Sequence, residues 1–180
     1  MLFVGNSMRH VALFAVALTF SLSCFGATEY PLTGEALSAF FEHPFNFARG
    51  ATRDEVLRSL GRPVKEARSA RQNPHDRTVT DVLYTFQYDS LELRIGAFPG
   101  ATPPAAGPML VVLTSAKYKL KHQLQVGSSK KEVQRVLGWP ETDFEMSTWS
   151  YRGDDAGYLW LQFTFHNDRV SRIKWSQTWD

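Results

Sequence analysis

The chain is almost without cysteine. Cys24 is the only one in 180 residues, so no internal disulfide can form, and thiol-based zinc sites and nucleophiles have no residue beyond position 24. Histidine is sparse too. His43, His75, His122 and His166 are scattered, and no pair stands at a metal-ligand spacing. No Gly-x-Ser-x-Gly elbow and no phosphate-binding loop occurs. Neither charge sign dominates: 20 Lys+Arg against 18 Asp+Glu give a net charge of +2, without the strong basic excess of a dedicated nucleic-acid binder. These absences direct the reading to a non-enzymatic protein with no metal, no cofactor and no nucleic-acid partner.

Apolar and aromatic residues are plentiful. Hydrophobic residues make up 43% of the chain, and it holds 13 Phe, 6 Tyr and 5 Trp. That composition suits one globular domain or two small ones. The longest apolar run, Val11–Leu22, follows Arg9-His10, and the small residues Ser21, Ser23 and Gly26 stand at its end and just past it. Its order is that of a secretory signal peptide, and it is shorter than the about 20 residues of a membrane span. Met1 and Met8 are alternative starts. Residues 1–26 are read as the leader. Cleavage after Gly26 or after Ser23 is one route. Lipidation of Cys24 is the other, although the lipobox positions before it hold Ser21 and Leu22. A lipid on Cys24 would anchor the protein without spanning the membrane.

Two stretches organise the remainder, Gly50–Pro63 and Gly127–Pro140. They align without a gap, sharing Gly, Glu, Val, Arg, Leu, Gly and Pro at equivalent positions. Thr52 with Glu55 and Ser129 with Glu132 have the spacing of a capping box. Val56 with Leu60, and Val133 with Leu137, are four apart and share a helical face. Gly61 and Gly138 suit a left-handed residue after a helix, and Pro63 and Pro140 block continuation. Each stretch therefore predicts a two-turn helix that must dock on something larger.

Strand signals follow each predicted helix. Residues 78–88 are rich in β-branched and aromatic side chains, Leu91, Leu93 and Ile95 alternate with charges, and Leu110–Thr114 is apolar. Phe98–Pro108 reads as a proline-stiffened loop. In the second half, Leu159, Leu161, Phe163 and Phe165 alternate with Tyr158, Trp160, Gln162 and Thr164, and Asn167-Asp168 marks a hairpin turn. The expected fold is α+β. It is a tandem repeat of short helices, each followed by an antiparallel β-meander, with helices on one face of the sheet. The first unit spans residues 27–120 and the second 121–180.

The repeated pattern carried by Gly50, Glu55, Val56, Leu60, Gly61 and Pro63, and by Gly127, Glu132, Val133, Leu137, Gly138 and Pro140, resembles that of the β-lactamase-inhibitor-protein-like domains. These include the small BamE/SmpA/OmlA lipoproteins of outer-membrane barrel assembly and inhibitors with two tandem copies. The resemblance implies an exported, non-catalytic protein-binding module in the periplasm, at the outer membrane or outside the cell. It would serve as an envelope assembly accessory or as an inhibitor of a secreted or periplasmic enzyme. Its partner would be another envelope or secreted protein. The rival readings are a peptidoglycan-acting enzyme and a lipid carrier.

Candidate binding residues are aromatics expected away from the helices, where Trp and Tyr serve as anchors. They are Trp149, Tyr151, Tyr158 and Trp160, together with Phe98, Pro103 and Pro104 of the proline-rich loop. Asp154-Asp155 reads as a solvated turn between Gly153 and Gly157.

Overall fold

The computed structural model describes residues 30–46, 52–73, 76–100, 105–144, 147–154 and 156–178. The leader, Cys24, Gly50, Pro103 and Pro104 lie outside the described residues. Among the described residues there are three α-helices, α1 (Gly34–Glu42), α2 (Arg53–Leu60) and α3 (Lys130–Leu137). Eight strands accompany them: β1 (Lys65–Gln72), β2 (Thr80–Tyr88), β3 (Leu91–Phe98), β4 (Ala105–Leu113), β5 (Thr142–Phe144), β6 (Thr148–Arg152), β7 (Leu159–His166) and β8 (Arg169–Gln177).

The expected tandem architecture is corrected by this structure. Strand dominates, the helices are short, and the strands form one continuous antiparallel sheet in the order β1-β2-β3-β4-β8-β7-β6-β5. The join is made by β4 and β8, with Leu110, Val111, Val112 and Leu113 opposite Ser176, Trp175, Lys174 and Ile173. A helix of two turns cannot organise a unit by itself. A sheet edge as apolar as Leu110–Leu113 gains far more from pairing than from solvent exposure. The expected break at residues 120/121 falls beside a short 3-10 turn, Lys121–Gln123.

What does recur is local. The Thr52 hydroxyl accepts from Glu55 N at 3.3 Å and the Ser129 hydroxyl from Glu132 N at 3.2 Å. The Glu carboxylates accept in return from the cap amides, at 3.2 Å and 2.6 Å. Those bonds from Ser129 hold the Glu132 carboxyl below the usual carboxylate range. Past each helix, a tyrosine hydroxyl from the sheet donates to the glycine carbonyl. Tyr88 reaches Gly61 O and Tyr151 reaches Gly138 O, both at 3.1 Å. Burial pushes the Tyr151 phenol well above its ordinary pKa, so it stays a donor throughout the working pH range. Each hairpin that follows also carries a register shift, at Arg94/Ile95 and at Thr164/Phe165.

The core lies on the helix side of the sheet. Phe40, Phe41, Val56, Val133 and Val136 pack against Phe86, Leu93, Ile95, Val111, Leu161, Phe163, Ile173 and Trp175. Strands β3, β4, β6, β7 and β8 place alternate residues there, β2 adds Phe86, and β1 adds none. The cleanest case is β7, where Leu159, Leu161, Phe163 and Phe165 are buried and their neighbours are not. The turn at Asn167-Asp168 takes φ of 50° and 56°, the positive pair that a two-residue hairpin with native twist requires.

His122 marks where the N-terminal segment meets this body. Its ring lies 5.6 Å from that of Phe40 and 5.9 Å from that of Tyr30. Tyr30 Oη is 3.3 Å from Nδ1, and the Arg135 guanidinium stacks on the other aromatic partner, 4.8 Å from the Tyr30 ring. Partial burial, and then the Lys121 charge, lower the His122 pKa below its ordinary value. A depressed folded pKa means that the stability is present above about pH 6.5 and lost as pH falls through the folded value. The melting temperature is therefore expected to drop on acidification from about pH 7.5 to 5, and His122→Gln to flatten that slope. An equal slope in the variant would exclude His122 as its source.

Candidate functional site

Pairing register assigns the second face. Opposite the core, β2 presents Leu83 and Thr85, β3 Glu92, Arg94 and Gly96, β4 Leu110 and Val112, β8 Arg172, Lys174 and Ser176, and β7 Trp160, Gln162 and Thr164. Phe98 and Val112 are buried yet stand outside the core cluster, which places them on this side. None of the three α-helices contributes a buried residue to it. The open face is thus a two-sided sheet's uncovered surface, half polar and half apolar.

Its centre is built from neighbours in register. Arg94 pairs with Leu110, Leu110 with Ser176, Ser176 with Trp160, and Trp160 with Arg152. Trp160 is half-buried, and its indole N–H donates to Gly157 O at 2.7 Å, which fixes the ring. Beside this row, Gly96 pairs with Leu83 and Gly107. The Phe98 ring folds directly over Gly96, and Met109 Sδ stands 2.9 Å from where a Cβ would be. A side chain at 96 would displace that ring. Leu83, Phe98, Met109, Leu110 and Trp160 form the apolar part of the surface.

Around it the charge is one-sided. Lys65, Arg71, Arg94, Arg152, Arg172 and Lys174 face this way by register, against Asp81, Glu92 and Glu141, whose carboxylate lies 3.4 Å from Arg152 Nε. Asp81 is buried, holds Asn73 Nδ2 at 3.1 Å and has Arg71 Nε at 3.8 Å. Glu92 faces Arg94 at 3.5 Å. A chain of net charge +2 thus concentrates its basic excess on the face without helices.

The expected aromatic set is redistributed. Trp160 lies on the open face, and Tyr158, 43% exposed, stands just before β7. Trp149 and Tyr151 are corrected: both are buried on the helix side, where Trp149 packs on Phe165 and Tyr151 on Phe163. Their parity follows from the pairing of Trp149 with Phe163 and of Tyr151 with Leu161. Lys130 Nζ sits 5.6 Å from the Trp149 ring and 5.3 Å from that of Phe165. Phe98 is 7% exposed, so it floors the face and does not project from it. The loop expected over 98–108 is also shorter, because β3 runs to Phe98 and β4 starts at Ala105.

Leu83, Met109, Leu110 and the basic frame escaped the sequence reading. Their signal was the alternation of β2 around Phe86, which becomes legible once the buried parity of one residue is fixed. Trp139 also escaped it. It is 77% exposed and 6.5 Å from Trp149 across the rim of the helix side.

Among the described residues, no group of His, Cys, Asp and Glu could hold a metal ion, and no helix is long and apolar enough to cross a membrane. A cleft of about 320 Å³ opens on the helix side at the start of α2, floored by Tyr84, Ile95, Ala97 and Ala106. No family model, no curated protein and no solved structure matches the chain.

Proposed function

We propose that this is an exported bacterial cell-envelope protein of the BamE/β-lactamase-inhibitor-like type. In this reading it binds another protein without catalysis and serves as an envelope assembly accessory. The observation that carries the binding reading is the open face, with apolar Leu83, Met109, Leu110 and Trp160 inside a basic frame. The partner is a folded envelope or secreted protein that offers an apolar centre ringed by acidic residues. Such a surface satisfies the frame and excludes basic competitors. The repeated helix motif and the Val11–Leu22 run support the envelope assignment by resemblance and by residue order.

The test is affinity capture from envelope extract, followed by binding of the purified partner to wild type and to Trp160→Ala and Leu110→Asp. A fixed Trp at an interface centre contributes about 2 kcal/mol or more, so Trp160→Ala is expected to weaken binding about 30-fold. Leu110→Asp is expected to abolish it. Unchanged affinity in both variants, with their folds intact, would rule out this face. Inhibition of a secreted enzyme by the captured complex would favour the inhibitor reading over the accessory one. The cleft beside α2 supports one further reading, a carrier of a small apolar molecule, because its volume falls at the lower end of ligand pockets. Extraction of a stoichiometric apolar ligand from the purified protein would establish it.

A further inference from the structure

The two edges of the sheet are built differently. At one end β5 is cut to three residues, a common way to blunt an edge. At the other end β1 runs for eight residues, all of them exposed. It pairs with β2 without a register shift from Lys65 to Gln72, and it contains neither proline nor glycine. Asn73 N donates to Val79 O at 3.0 Å, continuing the register in which Gln72 faces Thr80. Antiparallel ladders alternate bonded and non-bonded pairs. Arg71, Ser69, Ala67 and Lys65 therefore turn their amides and carbonyls to β2. Glu66, Arg68, Ala70 and Gln72 turn theirs outward. Four consecutive outward positions form a complete template for one more strand.

The side chains say which strand. Glu66 is the one acid of β1, and Arg53 of α2 holds it in a two-pronged ion pair at 2.5 Å and 3.0 Å. That leaves Lys65 and Arg68, with Arg71, whose Nε stands 3.8 Å from the buried Asp81, three residues apart along the strand. Arg68 stands opposite Tyr84 on the helix side, while Lys65 and Arg71 stand opposite Gln87 and Asp81 on the other. Two copies of β1 would bring basic edge to basic edge, with the only acid already engaged. We infer that β1 is a docking edge for an extended segment of another protein with an acidic residue at every third position. The segment adds a ninth strand through main-chain hydrogen bonds. Its acids alternate faces in step with Arg71, Arg68 and Lys65. The edge shares Lys65 and Arg71 with the frame of the open face, but its main-chain template of Glu66, Arg68, Ala70 and Gln72 is its own.

The probe is a synthetic nine-residue peptide of Thr and Val with Glu at positions 2, 5 and 8, titrated into the isotope-labelled full chain. Its control carries Lys at the same positions. The Glu peptide is expected to slow amide exchange at Glu66, Arg68, Ala70 and Gln72 and to leave Lys65, Ala67, Ser69 and Arg71 unchanged. The Lys peptide is expected to do neither. Ala70→Pro removes one outward donor, keeps every charge and leaves the β2 ladder intact; it should weaken binding at least about tenfold. Arg68→Glu should weaken it about fivefold or more and should bind a peptide with Lys at position 5 in preference to Glu. Equal binding to wild type and Ala70→Pro would mean charge attraction without strand addition and would overturn the inference. So would unaltered exchange at the four amides, or a homodimer in sedimentation that Ala70→Pro dissolves. If Ala70→Pro does not fold, Arg68→Glu and the exchange pattern decide the matter alone.

Discussion

Replacing Trp175 by alanine is expected to remove about 3–5 kcal/mol of stability by loss of volume alone. Trp175 is 1% exposed. It sits on β8 at the join of the sheet, opposite Val111 on one side and Leu161 on the other. Its indole N–H donates to Phe41 O at 2.8 Å, just inside the end of α1, and the Phe45 ring meets it edge-on at 6.1 Å. One side chain therefore ties the first helix, β4 and β7 together. Truncation leaves a cavity that three separate elements would have to close, and it strips a buried carbonyl of its donor for a further about 1–3 kcal/mol. Domains of this size are stable by about 5–15 kcal/mol, so the variant stands near its folding threshold. Urea unfolding followed by circular dichroism measures the loss. A value under about 2 kcal/mol would show that the join does not rest on Trp175. Trp175→Phe separates the contributions, because it keeps most of the packing and gives up the hydrogen bond.

The second large effect is expected at Gly61 and Gly138. Their place in the sequence suits left-handed residues ending a helix. The structure places them at φ 77°, ψ −167° and φ 77°, ψ −160°, a mirror-image extended conformation that essentially only glycine adopts. There is open space beside Gly61, and the nearest atom to a Cβ at Gly138 is 3.8 Å away on Pro31. The cost of a side chain is therefore conformational. Alanine at either position is expected to lower stability by about 1–3 kcal/mol. Asparagine rescues a left-handed glycine and is expected to bring no relief here. Thermal unfolding of the four single variants checks this. Asparagine variants as stable as wild type would return both sites to the left-handed assignment. The extended turn has a use: it aims each glycine carbonyl at Tyr88 or Tyr151, so the end of each helix is fastened to the sheet by a bond that alanine would also disturb.

Features set by neighbours in sequence were legible. Thr52–Glu55 and Ser129–Glu132 formed their capping boxes. The alternation from Leu159 to Phe165 gave the buried parity of β7, and Asn167-Asp168 gave its turn. Features set by pairing across the chain were not. Nothing in Leu110–Leu113 names Ile173–Ser176 as its partner, and that single pairing turns an expected pair of units into one sheet. The same limit misplaced Trp149 and Tyr151. Alternation sets Trp149 and Tyr151 apart from Ser150, but Trp and Tyr carry a polar tip and suit either face until a cross-strand partner is known. Lys65–Gln72 carries almost no apolar residue, so the charged edge strand had no pattern to reveal its full length. Pro108 read as loop because proline is rare inside a sheet. It is tolerated because β8 pairs only with Leu110–Leu113, leaving Pro108 on a stretch of β4 that β8 does not pair with. Of the candidate site, Trp160 was legible, whereas the basic frame required the register of the seven strands from β1 across to β6.

The strand order carries a consequence for how the protein is made. Among the described strands, β8 comes last in sequence and is one of the two at the middle of the sheet. Synthesis is vectorial, from the N-terminus onward, and the early strands emerge well before their final neighbour exists. Until Arg169–Gln177 arrives, β4 has an apolar margin at Leu110–Leu113 and β7 another at Leu159–His166, both open to any passing chain. The β4–β8 contact spans a large separation in sequence, and such non-local pairing slows folding. A sheet that finishes its centre last leaves two apolar strand margins unpaired until Arg169–Gln177 has docked between them.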